Sequence, residues 1–390
     1  MRSADAGLLS LALMDARTRT LAWLSVFDGL QFSGRSDHID PPLWTIGHVA
    51  WYQEYWTTRH VQRGRGLTAT STAMRLPSIE TRSDAWFSHL ANSHRERWML
   101  QMPEPDALRA YLHTSLEATL ELLDKAEATD NALHFFRQAL HHEDLMADAL
   151  AVAAQSLNLS TERQSQAQAL GLTTAWSSPV PRPAIGLPGQ AVTLGAITGG
   201  WVPDTERGLL ETEVLEFEID AQAVGWSEYL EFIDDGGYDD PHWWTPTGWD
   251  WAQAQSRRSP RHVAQLSGGV LVQRQGRLQR VPSAQPVLHV TAFEADAWCR
   301  WAGRRLPSEA EWSLAARDAA ARGWAWGEVL EWVAGTARPY PGGLAPGSGA
   351  QRVLRGAHRQ SSPRLRHRSA RRYALADADE GFFGFRSCVL

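Results

Sequence analysis

Two cysteines, Cys299 and Cys388, are all that the 390 residues contain. No disulfide framework can be built from them, and no CxxC pair is present to hold zinc. The chain also has no apolar run near the roughly 18 uncharged residues that a membrane span needs. Its opening, MRSADAGLLSLALMDARTRT, carries charges throughout and does not read as a signal peptide. Surplus positive charge is missing too. The 38 basic residues stand against 44 acidic ones, a formal net charge of −6, which argues against a nucleic-acid surface. A reducing cytoplasm is the expected compartment, with small molecules as partners and neither nucleic acid nor membrane. At 21% charged and 43% hydrophobic the composition is that of a globular chain, long enough for two domains or one large one.

What the chain has in excess is tryptophan, nineteen residues of it. Several stand in polar-flanked positions, among them Trp44, Trp51, Trp56, Trp243, Trp244, Trp249, Trp251, Trp324, Trp326 and Trp332. Core filling explains any single one. An aromatic cleft for a flat or cationic ligand is the functional alternative, because indole faces attract quaternary ammonium groups.

The two halves differ in texture. Segments 8–30, 43–62, 83–98, 105–128 and 131–156 carry apolar residues at three-to-four spacing and no two-residue alternation. They predict a bundle of about four antiparallel helices, with Asp106 as an N-cap after Pro103 and Pro105. Residues 174–190 then hold four prolines and no helical pattern, a linker signature. Beyond it the chain is short-paced, with a strand expected at 214–220, helices at 224–237, 291–303 and 308–319, and a hairpin around Gln275-Gly276. The remainder reads as loop. The resulting division is 1–170, a linker at 171–190, and 191–390.

Helical spacing sets Trp44, His48, Trp51 and Tyr55 on one stripe. His48 on that stripe faces the bundle interior, either as a hydrogen-bonded core residue or as a metal ligand.

The segments EFEIDAQAVGWSEYLEFI, RLPSEAEW (305–312), EW (331–332), VLRGAHR and GFRSC (384–388) resemble, in linear order, the formylglycine-generating-enzyme-like (sulfatase-modifying-factor) domain. LWTIGHVAWYQEYW (43–56) and HHEDLMADAL (141–150) resemble a DinB-like helix bundle. In this order the two look like the non-heme iron sulfoxide synthases of ergothioneine biosynthesis (EgtB type) and their selenium relative, selenoneine synthase (SenA). The resemblance implies an α+β, two-domain fold: a DinB-like bundle followed by a C-type-lectin-like FGE-sulfatase domain with much irregular structure. It also implies Fe(II) as cofactor, and dioxygen-dependent joining of a chalcogen to the imidazole C2 of hercynine (trimethylhistidine). Formylglycine-generating enzymes work through paired cysteines near the C-terminus; only Cys388 is found there, so protein-cysteine oxidation is not expected.

The family holds its iron with three histidines, one in a GHxAW-like segment and two in an HxxxHxE helix. His48 matches the first and His142 the second. Met146 stands where the third belongs, with Asp148 at the Glu position, and a thioether is a poor ligand for Fe(II). Reading Gln138, His142 and Asp144 as the motif again gives one histidine. The third ligand stays open among His141, His134, Asp148, Asp144 and water. His141 and His142 point about a hundred degrees apart on a helix, which disfavours their sharing an ion.

A proton donor is also implied, a tyrosine in the sulfur enzymes. Tyr340 in RPYPGG is the first candidate, then Tyr52 and Tyr55 beside His48. Trp51, Trp244 and Trp332 are candidates for a trimethylammonium group. The Trp-Asp pair and Arg with which the sulfur enzymes grip substrate carboxylates fall here on Tyr373, Ala374 and Ala378, with Arg371, Arg372, Asp377 and Asp379 nearby. A substrate without amino-acid carboxylates, such as a selenosugar, does not need that clamp. The implied reaction is therefore C–Se bond formation with a selenosugar. The alternatives are C–S bond formation with cysteine or γ-glutamylcysteine, and an inactive hercynine-binding protein. The seven arginines between Arg355 and Arg372 read as a loop of the second domain, with Arg355 and Arg386 in structural ion pairs.

Overall fold

The computed structural model describes residues 1–30, 38–70, 72–157, 159–196, 199–274, 277–343, 347 and 350–390. It divides into two compact units. The first comprises Met1–Thr174, Thr198–Val202 and Gln360–Leu365; the second comprises Ala175–Ile197, Pro203–Arg359 and Arg366–Leu390.

The first unit is helical: α1 (Ala6–Phe27), α2 (Pro42–Trp56), α3 (Ser83–Phe87), α4 (His94–Arg97), α5 (Pro105–Asp124), α6 (Asp130–Ser156) and α7 (Thr161–Ala169). The stretch 83–98, expected as one helix, is two short ones, because Ser88 is extended (φ −69°, ψ 124°) and Ser93 starts a new capping box with Glu96. Asp106 is not the N-cap of α5. Glu104 is, with Pro105 in the first turn, where its fixed φ suits the helix and its missing N–H costs nothing. Helix α7, which Ser160 caps through the Arg163 N–H, carried no expectation. Leu9, Leu13 and Ala16 of α1 pack with Leu123 of α5 and with Leu133, Phe136 and Leu140 of α6.

A buried polar node crosses this apolar core. Arg17 of α1 donates to Glu143 of α6 (2.9 Å), to the Gln53 side chain of α2 (2.6 Å), and to the Leu112 carbonyl and Ser115 hydroxyl of α5. Thr20 adds a bond to Glu143 (2.7 Å). One guanidinium therefore contacts all three of the other long helices.

The second unit runs β1 (Ile185–Leu187), β2 (Gln190–Ala196), β3 (Gly208–Val214), β4 (Phe217–Ile219), α8 (Trp226–Asp234), α9 (Pro246–Ala254), β5 (Val263–Gln265), β6 (Leu271–Arg274), β7 (Arg277–Arg280), α10 (Ala292–Trp301), β8 (Arg304–Arg305), α11 (Glu309–Asp318), β9 (Leu330–Thr336), β10 (Gln351–Gly356), β11 (Arg371–Leu375), β12 (Phe383–Phe385) and β13 (Cys388–Val389). Its sheets have the orders β1-β4-β13-β8, β11-β10-β9-β12, β2-β3 and β5-β6-β7, with β12 and β9 parallel. The expected strand 214–220 is two strands: β3 pairs with β2, while β4 joins β1 and β13. The chain changes sheets at Leu215–Glu216, so one alternating run serves two layers. The unit holds far more strand than the loop-dominated reading allowed. Strands β6 and β7 pair as the expected hairpin, whose Gln275-Gly276 tip lies outside the described residues. No helix among the described residues is long and apolar enough to cross a membrane.

The diagnostic motifs meet in the core of this unit. Glu331 accepts from Arg386 (2.7 Å) and from the Trp312 indole (2.8 Å), and Arg386 lies over the Trp324 ring (3.7 Å). Both charges are almost fully buried. Removing one member of such a pair strands the other charge in a low dielectric. Glu331→Ala is expected to cost about 3–5 kcal/mol, whereas breaking the exposed Arg317–Asp318 pair costs under about 1 kcal/mol. Shifts of the urea midpoint at unchanged m-value measure both.

Candidate functional site

The stripe on α2 is built as its spacing requires. The His48 ring is sandwiched between Trp44 (centroids 4.7 Å apart, planes at 12°) and Trp51 (5.3 Å, 21°), and Trp51 stacks in turn on Tyr55 (4.9 Å). The indoles are pinned from outside. Trp44 donates to the Trp86 carbonyl (2.8 Å) and lies under Arg97 (3.9 Å), while Trp51 donates to Asp84 (2.6 Å), itself clamped by Arg59 (2.8 and 2.7 Å).

His48 Nδ1 is bonded to the Phe87 carbonyl (2.7 Å). That bond makes Nδ1 the protonated nitrogen and leaves the Nε2 lone pair as the ligand position. Burial, opposed by this bond, brings the pKa down to about 4, so the ring is neutral at physiological pH. Gly47 makes the arrangement possible. A Cβ there would lie 2.2 Å from the Phe87 ring, which is fully buried.

From α6, His142 meets His48 edge-on (centroids 5.0 Å, 74°) and lies flat on the Tyr52 ring (3.6 Å, 16°). Its Nε2 is buried without a hydrogen-bond partner, and burial holds its pKa well below the ordinary value. Tyr52 is itself fixed by Gln138, whose amide donates to the hydroxyl (2.7 Å). A third imidazole, His89, stands edge-on to His48 (5.8 Å) and to Trp51 (5.9 Å), its pKa also lowered by burial. It follows the break after α3 that aims the Phe87 carbonyl at His48. Nothing in the spacing marked it, since a continuous helix over 83–98 gives it no fixed neighbour.

The other proposed ligands are placed elsewhere. His141 packs on Trp201 (4.7 Å), and His134 is buried edge-on to Phe135 (4.9 Å). Asp148 accepts from the Ser361 hydroxyl (3.0 Å) and the Ser362 N–H (3.3 Å). Asp144 accepts from the Ser362 hydroxyl (2.8 Å) and twice from Arg364 (2.7 Å each). Met146 is half-buried one turn after His142. Tyr55 lies under Arg75 (4.4 Å).

An uncharged, partnerless buried Nε2 on one imidazole and a free Nε2 lone pair on its neighbour fit a divalent cation, which needs neutral nitrogen donors. As they stand, no three His, Cys, Asp or Glu side chains among the described residues converge on one ion position.

The remaining sequence-derived residues belong to the second unit. The Tyr340 hydroxyl donates to Glu309 (2.5 Å) beneath Arg371 (4.1 Å), and burial raises its pKa. Glu309 also takes Arg355 (3.1 Å) and Arg371 (2.7 Å). The Tyr373 hydroxyl accepts from Arg371. Trp244 and Trp332 are core side chains, their indoles bonded to the Gly237 (2.8 Å) and Val290 (2.7 Å) carbonyls. Packing thus takes up both of these proposed ammonium-binding faces. Arg372 is half-buried and Asp377 exposed.

Gly47→Ala separates propensity from packing. Alanine favours an exposed helix by about 1 kcal/mol, yet the Phe87 ring cannot move away, so a net loss of about 1–3 kcal/mol is expected. Calorimetry gives the loss, and a changed His48 ring resonance reports the broken bond to Phe87.

A model described as the sulfatase-modifying factor enzyme 1-like domain matches residues 182–328. The hercynine oxygenase of Mycolicibacterium smegmatis is 31% identical over 355 residues, covering 89% of this chain and 75% of that one. That of Mycobacterium tuberculosis is 31% identical over 363 residues, covering 89% and 81%. The formylglycine-generating enzyme of Streptomyces coelicolor is 56% identical over only 46 residues, 12% of this chain and 15% of that one. The chain belongs to the hercynine oxygenase family of oxidoreductases.

Proposed function

We propose that the protein joins a chalcogen oxidatively to the imidazole C2 of hercynine, with dioxygen as oxidant, Fe(II) as cofactor and a selenosugar as chalcogen donor. The observation that carries this reading is the pair of neutral imidazoles, His48 and His142, with an orphaned Nε2 on His142 inside an aromatic box. Iron would supply the dioxygen chemistry there. His48 and His142 would hold it, and His89, edge-on to His48, is the candidate for a third nitrogen in place of Met146.

The rest follows from the chain's own groups. The Phe87 carbonyl and the Tyr52 ring keep the two imidazoles in fixed tautomer and orientation. Trp44, Trp51 and Tyr55 wall His48 off from water, their faces being taken up by His48, by Arg97 and by one another. Tyr52, whose ring lies flat on His142 and whose hydroxyl accepts from Gln138, is the proton donor in preference to Tyr340, whose hydroxyl is committed to Glu309. The selenosugar is favoured over an amino-acid thiol because Ala374 and Ala378 offer no charge where the sulfur enzymes grip a carboxylate.

One competition experiment tests the chemistry. Protein loaded anaerobically with Fe(II) receives hercynine, air and an equal mixture of a selenosugar, cysteine and γ-glutamylcysteine, and products are read by mass spectrometry. The hercynine–selenosugar adduct is expected. A sulfur adduct alone assigns the thiol reaction, and tight hercynine binding with no adduct assigns a binding protein. His48→Ala and His142→Ala are expected to abolish product with the circular dichroism unchanged; turnover surviving both sinks the metal assignment. His89→Ala is expected to weaken Fe(II) binding at least about tenfold in calorimetric titration, and Met146→Ala to leave it unchanged.

A further inference from the structure

Seven arginines are buried among the described residues: Arg17, Arg59, Arg137, Arg274, Arg355, Arg371 and Arg386. Six have a carboxylate: Glu143 for Arg17, Asp84 for Arg59, Asp130 for Arg137, Glu309 for Arg355 and Arg371, and Glu331 for Arg386. Arg274, at the end of β6 and 6% exposed, has none among the described residues. Its hydrogen-bond partner is neutral, the buried Gln285 amide, whose oxygen turned toward the guanidinium accepts from both terminal nitrogens (2.6 and 3.1 Å). Burial lowers its pKa to about 10, and no negative charge opposes that shift. A cation held this way carries an uncompensated desolvation cost unless an anion joins it.

The surroundings look built for one. The Gln273 N–H donates to the His262 carbonyl (2.6 Å), which sets His262 beside the end of β6. His262 and His289 pack edge-on (4.8 Å). Both have left-handed backbones, φ 68° and 64°, a strained state for a residue with a Cβ that commonly marks a working site. The His262 Nε2 is buried with no hydrogen-bond partner. Burial and the neighbouring arginines keep both rings neutral, so they offer donors but no charge. Arg257 and Arg261 are already spent on Asp379, and Arg261 also on Glu380. With Arg257 and Arg261 engaged by Asp379 and Glu380, Arg274 is the guanidinium here without an ion pair among the described residues. The Trp176 ring lies beside Arg274 (5.5 Å) and packs on Phe382 (5.2 Å), closing the apolar side.

We infer that Arg274, with His262 as a neutral hydrogen-bond partner, forms a binding site for a small monocarboxylate. A single surplus charge matches a monoanion rather than a phosphate dianion, and the guanidinium N–H groups that Gln285 leaves over can donate to the two oxygens of a carboxylate. The site lies outside the imidazole cluster on α2 and α6, and the inference does not depend on the reaction proposed above.

Thermal unfolding of the full chain at constant ionic strength tests it, with acetate and inorganic phosphate as probes. Acetate is expected to raise the Tm by linkage, and to do so more than phosphate. Arg274→Met is expected to remove that rise, with at least about tenfold weaker acetate binding in calorimetric titration. Without acetate the variant is expected to melt no lower than wild type, because it loses a buried charge rather than a pair; Arg386→Met, which breaks a pair, is expected to melt lower. Should Arg274→Met fail to fold, Arg274→Gln serves instead, and the comparison of probes on the unaltered chain needs no variant. An equal acetate rise in wild type and variant, no rise in wild type, or a larger rise with phosphate each overturns the inference.

Discussion

The helical unit depends on Arg17. Its guanidinium reaches α2 through Gln53, α5 through the Leu112 carbonyl and Ser115, and α6 through Glu143. Apolar packing fills the space between the helices, and a buried ion with several fixed acceptors adds directional bonds that only a narrow range of helix rotations satisfies. Gln53 directly follows Tyr52, and Glu143 directly follows His142. Fixing the rotation of α2 and α6 about this node therefore also fixes which faces meet on the far side. There Tyr52 lies flat on His142, and His48 meets it edge-on. The polar core and the candidate site are two consequences of one register.

The same logic explains the tryptophans. Trp44 and Trp51 hold His48 from both faces, but each is itself held by a group that packing alone would not supply: the Trp86 carbonyl and Asp84. In the second unit Trp312 and Trp324 flank the Glu331–Arg386 pair. Indole combines a large apolar face with one donor, so it can wall a buried polar group while satisfying it. A chain with many buried ions uses many such walls, which accounts for part of the tryptophan excess without any ligand.

How far this was legible depended on whether local spacing carried the information. The stripe Trp44, His48, Trp51, Tyr55 is a property of one helix, and its stacking followed from helical geometry. His142 was found through its family segment. His89 was not legible, because it reaches His48 only after the break at Ser88, a tertiary event with no periodic signature. Asp144 and Asp148 looked like ligands in sequence, but they are the acceptors for Ser361, Ser362 and Arg364, partners more than two hundred residues away. In the second unit the strands are two to seven residues long, too short for alternation to show, and the run 214–220 crosses between two sheets. Its linear motifs were legible because they are buried ion and cap positions: Ser308 with Glu311, and Glu331 with Arg386.

The engagement of the acids bears on the chemistry of the site. Asp144 and Asp148 stand two and six residues after His142 on α6, so about 200° and 240° of helical rotation carry both carboxylates to the other side of the helix. The segment 360–365 binds both, and Arg364 offsets the charge of Asp144 with a twofold bond. Around His48 stand imidazoles, aromatic rings and the Phe87 carbonyl, and burial keeps both His48 and His142 neutral at physiological pH. The side of α6 turned away from His142 is thus held by Ser361, Ser362 and Arg364, none of which adjoins His142 in sequence.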